Sequence, residues 1–118
     1  MNAAKKLLNS LYFEVIPMKG FEEKLDVLKA GDRVGITCSP KQGLQVTLDT
    51  VSKLTGRGFS LTPHIAARQV KSQQHLRDIV AQLTDSGITS IFVPGGDLDQ
   101  PMGDYNSSAA VLNDLSEM

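Results

Sequence analysis

The chain has 118 residues, which is enough for one domain with a modest core. Its 41% hydrophobic and 21% charged residues are ordinary for a soluble globular protein, and a net charge of −1 without a basic block argues against nucleic acid as a partner. No apolar stretch approaches the roughly 20 residues of a membrane span, the first ten residues lack a signal-peptide core, and the single cysteine, Cys38, fits a reducing compartment. We therefore expect a cytoplasmic protein that binds neither nucleic acid nor membrane.

Two strand–helix units are predicted in the first half of the chain, after a short opening helix at residues 3–9. The first strand ends at Pro17, because proline has no amide hydrogen to donate to a neighbouring strand. Apolar side chains at helical spacing predict a helix after each strand. In chain order these elements are the strand at residues 11–16, the helix marked by Phe21, Leu25 and Leu28 and ended by Gly31, the strand at residues 34–38, the loop at residues 39–43, and the helix marked by Leu44, Leu48, Val51 and Leu54.

Two further units are predicted in the second half. A third strand opens at residues 59–61 and leads to Pro63 and His64. Ser72 is a good N-cap for the next helix because its hydroxyl can accept a bond from a free amide, and Gly87 suits the position after that helix. The remaining markers are Leu76, Ile79, Val80 and Leu83 for the third helix, residues 88–93 for the fourth strand, and Asn106 or Ser107 as the cap of a last helix through Val111, Leu112 and Leu115.

Regular alternation of this kind predicts an α/β fold with a parallel sheet. Four consecutive βα units over residues 1–118 are equivalent to the first half of a (β/α)8 TIM barrel, which typically needs ~250 residues. A four-stranded open sheet exposes two edges, which proteins usually cover or pair. Three explanations stay open: a truncated fragment, a half-barrel that pairs with another copy, and a small open sandwich.

Three strands carry an ionisable residue at or near their carboxyl ends. Glu14, His64 and Asp97 lie far apart in the sequence. Active sites in strand–helix barrels form where the strands end. We therefore expect these three side chains to point into one shared pocket.

The segments around these residues resemble the methylenetetrahydrofolate reductase family. The resemblance rests on Phe13-Glu14-Val15-Ile16-Pro17, on Pro63-His64 and on Gly96-Asp97, which match short motifs of the family's first, third and fourth strands in that order. It extends over residues 11–115 and over the first half of the family's barrel. It implies reduction of 5,10-methylenetetrahydrofolate to 5-methyltetrahydrofolate, a step of one-carbon metabolism and methionine biosynthesis.

The resemblance also implies roles for single residues. Glu14 matches the general acid that opens the folate ring, and Asp97 matches the aspartate that stabilises the resulting cation; these are the expected catalytic residues. Thr37 and His64 match positions at the flavin. We expect Phe13 and Val15 to surround Glu14 and so favour its neutral form, which the acid role requires. The alternatives are an ion pair for Glu14 inside the barrel, turn chemistry for Asp97, and a core histidine bonded to a backbone carbonyl for His64.

The cofactor expectation has two branches. FAD is the family default, with NAD(P)H as hydride donor, and glycines at positions 95 and 96 can let backbone amides approach a phosphate. However, Gly95 stands where the flavin-dependent enzymes commonly have an arginine, so the sequence also resembles a flavin-independent branch that takes hydride directly from a nicotinamide. No metal site is expected. The second reading of function is a non-catalytic folate- or nucleotide-binding half-barrel, or a truncated fragment that needs a partner chain, either a second copy or a complementary half.

Overall fold

Short parallel strands alternate with helices along the chain. The structure is a computed structural model and describes residues 2–9, 12–18 and 20–118. Single turns of 3₁₀ helix at Leu25–Val27, Thr55–Arg57 and Ala67–Gln69 connect some of the elements. In chain order the helices and strands are α1 (Ala3–Asn9), β1 (Tyr12–Val15), α2 (Phe21–Lys24), β2 (Arg33–Ile36), α3 (Leu44–Leu54), β3 (Ser60–Pro63), α4 (Gln73–Asp85) and α5 (Ser108–Ser116).

The strands form one parallel sheet in the order β1-β2-β3. Glu14 on β1 pairs with Gly35 on β2, which in turn pairs with Thr62 on β3. The predicted mixed α/β fold with a parallel sheet is therefore confirmed at this level. The first residue predicted for β1, Leu11, lies outside the described residues.

The fourth predicted strand does not form as a regular strand. Residues 88–93, which we call the fourth segment, make a single parallel bridge between Phe92 and His64. Around it the Phe92 amide donates to the Pro63 carbonyl at 3.1 Å, and the Phe92 carbonyl accepts from the Ile65 amide at 2.8 Å. Pro94 then removes the next donor, because its nitrogen carries no hydrogen. The prediction of four complete βα units is thus corrected, for the described residues, to three strands and one bridged segment.

The core lies between one face of the sheet and the helices α3 and α4. Alternation along the strands sends Val15, Val34, Ile36 and Leu61 to this face, where all four are buried. Full burial of each such side chain stabilises the fold by about 1.5–3 kcal/mol. The helices contribute the rest of the same cluster, chiefly Leu44, Leu48, Val51, Leu54, Leu76, Ile79 and Leu83.

Serine caps begin α4 and α5, as the sequence predicted. The Ser72 hydroxyl accepts from the His75 amide at 3.0 Å, and the Ser107 hydroxyl accepts from the Ala110 amide at 3.2 Å. Gly87 follows α4 with a φ of 77°, a left-handed conformation that favours glycine. Ser107, rather than Asn106, is therefore the cap of α5.

One helix prediction needs correction. Phe21, Leu25 and Leu28 do not share one helix, because the four-residue α2 passes at once into a 3₁₀ turn. The predicted last helix through Val111, Leu112 and Leu115 is confirmed as α5, in which Leu112 is 53% exposed and Val111 beside it is fully buried. Neighbouring residues lie about 100° apart around a helix, so a helix resting on one side can bury only one of the two. None of the helices in the described part of the chain has the length and apolar character needed to cross a membrane.

Candidate functional site

The face of the sheet that turns away from α3 and α4 is polar. Glu14, Gly35 and Thr62 are in register across the strands, so they lie on one face, opposite the buried Val15 and Ile36. Tyr12 joins them by the same alternation, and His64 and Phe92 join them through their bridge. We call the set Tyr12, Glu14, Gly35, Thr62, His64 and Phe92 the polar face.

A hydrogen bond crosses the polar face from β1 to the end of β3. The Tyr12 hydroxyl lies 3.1 Å from Nε2 of His64. The Tyr12 ring reaches that far by passing over β2 at Gly35, where a Cβ atom would overlap the Tyr12 hydroxyl. Gly35 is therefore the gap in β2 that lets the two outer strands share a side-chain contact.

His64 is held on two sides. Its ring also meets the Phe92 ring edge-on, with centroids 5.0 Å apart and planes at 82°. Burial lowers the pKa of His64 below its usual value, while the Glu14 carboxylate acts in the opposite direction. The imidazole is thus favoured in its neutral form. Its ring bonds Tyr12 rather than the backbone carbonyl that the core-histidine alternative supposed.

Tyr12 is a site residue that the sequence reasoning missed. Burial raises the pKa of its phenol, and the Glu14 carboxylate raises it further, so the hydroxyl stays protonated near neutral pH. The signal in the sequence was its spacing. Tyr12 lies two residues before Glu14, and residues two apart on a strand share a face.

The surroundings expected for Glu14 are corrected by the structure. Glu14 is exposed on the polar face, whereas Val15 next to it is buried on the opposite face. Apolar sequence neighbours therefore do not enclose its carboxylate, because adjacent side chains on a strand point to opposite sides. Its charge acts on both Tyr12 and His64, which places Glu14 beside the hydrogen-bonded pair.

Thr37 directly follows β2 and forms hydrogen bonds with the last residue of β1. Its amide and its hydroxyl both donate to the Val15 carbonyl, at 3.0 and 3.3 Å. Its own carbonyl accepts from the Thr47 hydroxyl of α3 at 3.0 Å. The predicted cofactor-binding hydroxyl thus already ties two strand ends together, and only its lone pairs are available to a ligand.

The loop after the fourth segment carries Gly95, Gly96 and Asp97. The Gly95 carbonyl accepts from the Arg68 amide at 3.1 Å. Gly96 has a φ of 99°, and a Cβ on it would come within 3.2 Å of the Ala66 side chain. A local structural reason therefore exists for glycine at position 96. Asp97 is exposed in this loop, and only its place in the chain connects it with the polar face.

Arg68 holds the same loop in place. Its guanidinium donates to the carbonyls of Leu98 at 2.7 Å, Asp99 at 3.2 Å and Asn106 at 3.1 Å. These bonds engage Nε and Nη1, so the backbone of this loop orients the guanidinium. Arg68 thus serves the loop itself and does not stand in the position of the arginine that Gly95 lacks.

These residues do not fit a flavin. Residues 94–105 include Asp97, Asp99 and Asp104 but no lysine or arginine. A pyrophosphate at this loop would face carboxylates of its own sign, and Arg68 is committed to the backbone. Thr37 and His64 each already make a bond within the protein as well. No chemical step is therefore assigned to FAD.

The remaining candidates for reactive chemistry are weak. Burial raises the pKa of the Cys38 thiol, which disfavours the nucleophilic thiolate. Among the described residues no group of three or more His, Cys, Asp or Glu side chains is placed to hold a metal ion. No model of a known protein family matches the sequence.

The polar face presents hydrogen-bonding groups and the charge of Glu14, and Arg33, which is in register with Tyr12, lies on the same side of the sheet. The face offers a carboxylate, a protonated phenol and a neutral imidazole, with an exposed aromatic ring at its side. Such a set can bind a flat, polar heterocycle by ring contact and hydrogen bonds. It also places a proton donor or acceptor at the surface where the heterocycle would lie.

Proposed function

We propose that this chain is a methylenetetrahydrofolate reductase-like domain that binds a reduced folate on its polar face and equals the first half of a (β/α)8 barrel. The observation that carries the proposal is the grouping of Glu14 with the Tyr12–His64 pair on the open side of a parallel sheet. In a strand–helix barrel this side would be the interior, and its substrates would enter at the carboxyl ends of the strands. The sequence resemblance supports the choice of folate.

The proposed reaction uses one proton and one hydride. Glu14 gives its proton to a nitrogen of the methylene bridge, the carbon–nitrogen bond breaks with its electron pair going to that nitrogen, and an iminium cation forms. The Asp97 carboxylate stabilises this cation. A hydride from NAD(P)H then reduces the iminium carbon, which yields 5-methyltetrahydrofolate and NAD(P)⁺.

Tyr12, His64 and Phe92 position the folate in this proposal. The ring of Phe92 is 54% exposed and can pack against the pterin. The Tyr12 hydroxyl and the neutral His64 ring can exchange part of their mutual bond for bonds to the ligand. Glu14 must be protonated to act, so enclosure of its carboxylate has to come from the bound folate or from a partner chain.

The second candidate is a half-barrel that binds folate or a nucleotide and needs a partner chain for turnover. It is favoured by the exposure of Tyr12 and Glu14 and by the edge position of β1 in the sheet. An unpaired parallel edge and an uncovered polar face are completed in a closed barrel by further strands. A second copy or a complementary half would supply them.

The test combines activity with ligand-dependent stability. The chain is mixed with 5,10-methylenetetrahydrofolate and NADH or NADPH, and oxidation of the nicotinamide is followed with and without added FAD. In parallel, the thermal midpoint is measured with 5-methyltetrahydrofolate, since a ligand of the native state must raise it in proportion to its affinity. We expect folate-dependent oxidation that FAD does not change, together with a clear rise of the midpoint.

Variants assign the roles. Glu14→Gln should abolish oxidation and keep the midpoint rise, Asp97→Asn should slow oxidation, and Glu117→Gln, an exposed glutamate at the end of α5, should change neither. A midpoint rise with activity only after mixing with a partner chain would select the second candidate. No oxidation and no midpoint rise at millimolar folate would reject both.

A further inference from the structure

A cavity lies at the carboxyl ends of β2 and β3, apart from the polar face. It has a volume of about 270 Å³ and is formed by the loop after β2, the first turn of α3, the loop after β3, the first turn of α4 and Met102 from the loop after the fourth segment. None of the polar-face residues lines it. The side chains that matter for its chemistry are Lys41, Gln69, Lys71 and His75.

Gln69 is the unusual residue of this cavity. It is 2% exposed, and neither the nitrogen nor the oxygen of its side-chain amide has a hydrogen-bond partner among the described residues. Buried amides in native proteins almost always have partners, because an unpaired donor or acceptor costs the full loss of its hydration. A partner that both accepts and donates a hydrogen bond would satisfy this amide.

The charged side chains that line the cavity favour binding of an anion. Lys41 and Lys71 both line it, and its lining includes no carboxylate. Nδ1 of His75 accepts a hydrogen bond from the backbone amide of Lys71 at 2.9 Å. The proton of the neutral ring therefore lies on Nε2, from which it can be donated to a ligand. The cavity thus offers two cations and further donors to one small oxyanion.

The N-terminus of α3 also favours a bound anion. Gly43 precedes the eleven-residue helix and has no side chain that could cap it. Leu44 and Gln45, the first two residues of α3, both line the cavity. Free amide hydrogens and the positive end of the helix dipole at such a start favour a bound anion.

We propose that this cavity is a binding site for a protonated phosphate group, either the free ion or the end of a phosphomonoester. A phosphate that keeps one proton has oxygens that accept from the Gln69 amide nitrogen, the lysines and His75 Nε2. Its hydroxyl donates to the Gln69 amide oxygen, which an ionised carboxylate or a sulfate cannot do. The site does not depend on the folate reaction and stands or falls by its own test.

The test is titration of the whole chain with inorganic phosphate at constant ionic strength near neutral pH, read by calorimetry and by the thermal midpoint. Sulfate has similar size and charge but no proton to donate, and it serves as the matched anion. We expect saturable binding of phosphate and at least about tenfold weaker binding of sulfate, the loss expected for one charge-assisted hydrogen bond. Glycerol phosphate separates the two sources when it is titrated at about pH 5, below its second pKa of ~6, where it keeps one proton as the free ion does; a site for the free ion alone excludes it.

Variants connect binding with the residues. Gln69→Met keeps the length of the side chain but removes the unpaired amide, so it should raise the midpoint of the free protein and abolish the phosphate-dependent rise. Lys71→Gln and Lys41→Gln should each weaken phosphate binding at least about tenfold. Lys29→Gln, an exposed lysine ahead of β2 and at the opposite end of that strand, should bind phosphate normally.

Three results would overturn the proposal. They are equal effects of phosphate and sulfate, unchanged phosphate binding in Lys71→Gln, and a free Gln69→Met protein that is less stable than the parent while phosphate still raises its midpoint. The lysine variants alter exposed side chains and keep the proposal testable if Gln69→Met does not fold.

Discussion

The contact that organises the polar face depends on a missing side chain. Tyr12 crosses β2 to reach His64 only because position 35 is glycine. Glycine inside a strand usually weakens it, since it packs nothing and loses more backbone freedom on folding. Here its cost is offset by a hydrogen bond between residues that are 52 positions apart.

Gly35→Ala provides the residue-scale prediction. The added methyl group displaces the Tyr12 side chain, so we expect a loss of about 0.5–1.5 kcal/mol of unfolding free energy in the parent background, the value of the Tyr12–His64 bond. In a Tyr12→Ala background the space is open. The same substitution should then be neutral or should stabilise by about 0.4–1 kcal/mol, because alanine restricts the unfolded chain.

Urea unfolding of the four proteins in this cycle measures the coupling between the two sites. A cost of Gly35→Ala that is the same in both backgrounds would show that Tyr12 does not lie over Gly35. The Tyr12→Phe variant separates the hydrogen bond from the ring, since it loses only the bond to His64, worth about 0.5–1.5 kcal/mol.

At the scale of elements, single residues at the helix ends determine where a helix begins and ends. α4 begins after Ser72, whose hydroxyl satisfies one free amide, and ends before Gly87 in the left-handed conformation. Its buried stripe packs in the core that also contains the buried side chains of α3. A helix of this length gains its stability from that packing, and the cap decides where it starts.

Ser72→Ala is therefore expected to destabilise the protein by about 1 kcal/mol, with a range of about 0.5–2 kcal/mol, because the His75 amide loses its acceptor. Ser72→Asp restores an acceptor and places a negative charge at the helix start, so it should recover the loss. Thermal or urea midpoints measure both. An equally large loss in Ser72→Asp would mean that the hydroxyl serves a purpose other than capping.

At the scale of the whole molecule, stability should depend on two histidines from different sites. Burial lowers the pKa of His64, and burial together with Lys71 lowers the pKa of His75; Glu14 and Asp78 act in the opposite direction on the two rings. An unfolded histidine titrates near pH ~6.5. Between the lowered and the unfolded pKa values the unfolded chain binds more protons, so stability rises with pH in that window.

We therefore expect full stability above about pH 6.5 and a progressive loss as the pH falls through the lowered folded-state pKa values. Urea midpoints across this range measure the slope, and NMR titration of the two rings gives the pKa values directly. The double variant His64→Gln/His75→Gln should flatten the slope near pH 6. An unchanged slope in that variant would assign the acid sensitivity to the carboxylates instead.

The local pattern of the sequence predicted most of the elements but only part of the site. Hydrophobic spacing placed α3 and α4 within a residue or two, and serine and glycine placed their ends, because these signals act within one or two helical turns. The same reasoning put Glu14 among apolar neighbours, although strand geometry turns it away from them. It overlooked Tyr12, whose role needs a glycine on the next strand.

By itself, then, the sequence determined the alternation of strands and helices and the helix caps, since each depends on residues close together in the chain. The tertiary structure alone decided which distant groups meet. It joined Tyr12 to His64, reduced the fourth strand to one bridge, and buried the amide of Gln69 beside two lysines. Such meetings depend on strand register and on loop packing over tens of residues, which no local pattern encodes.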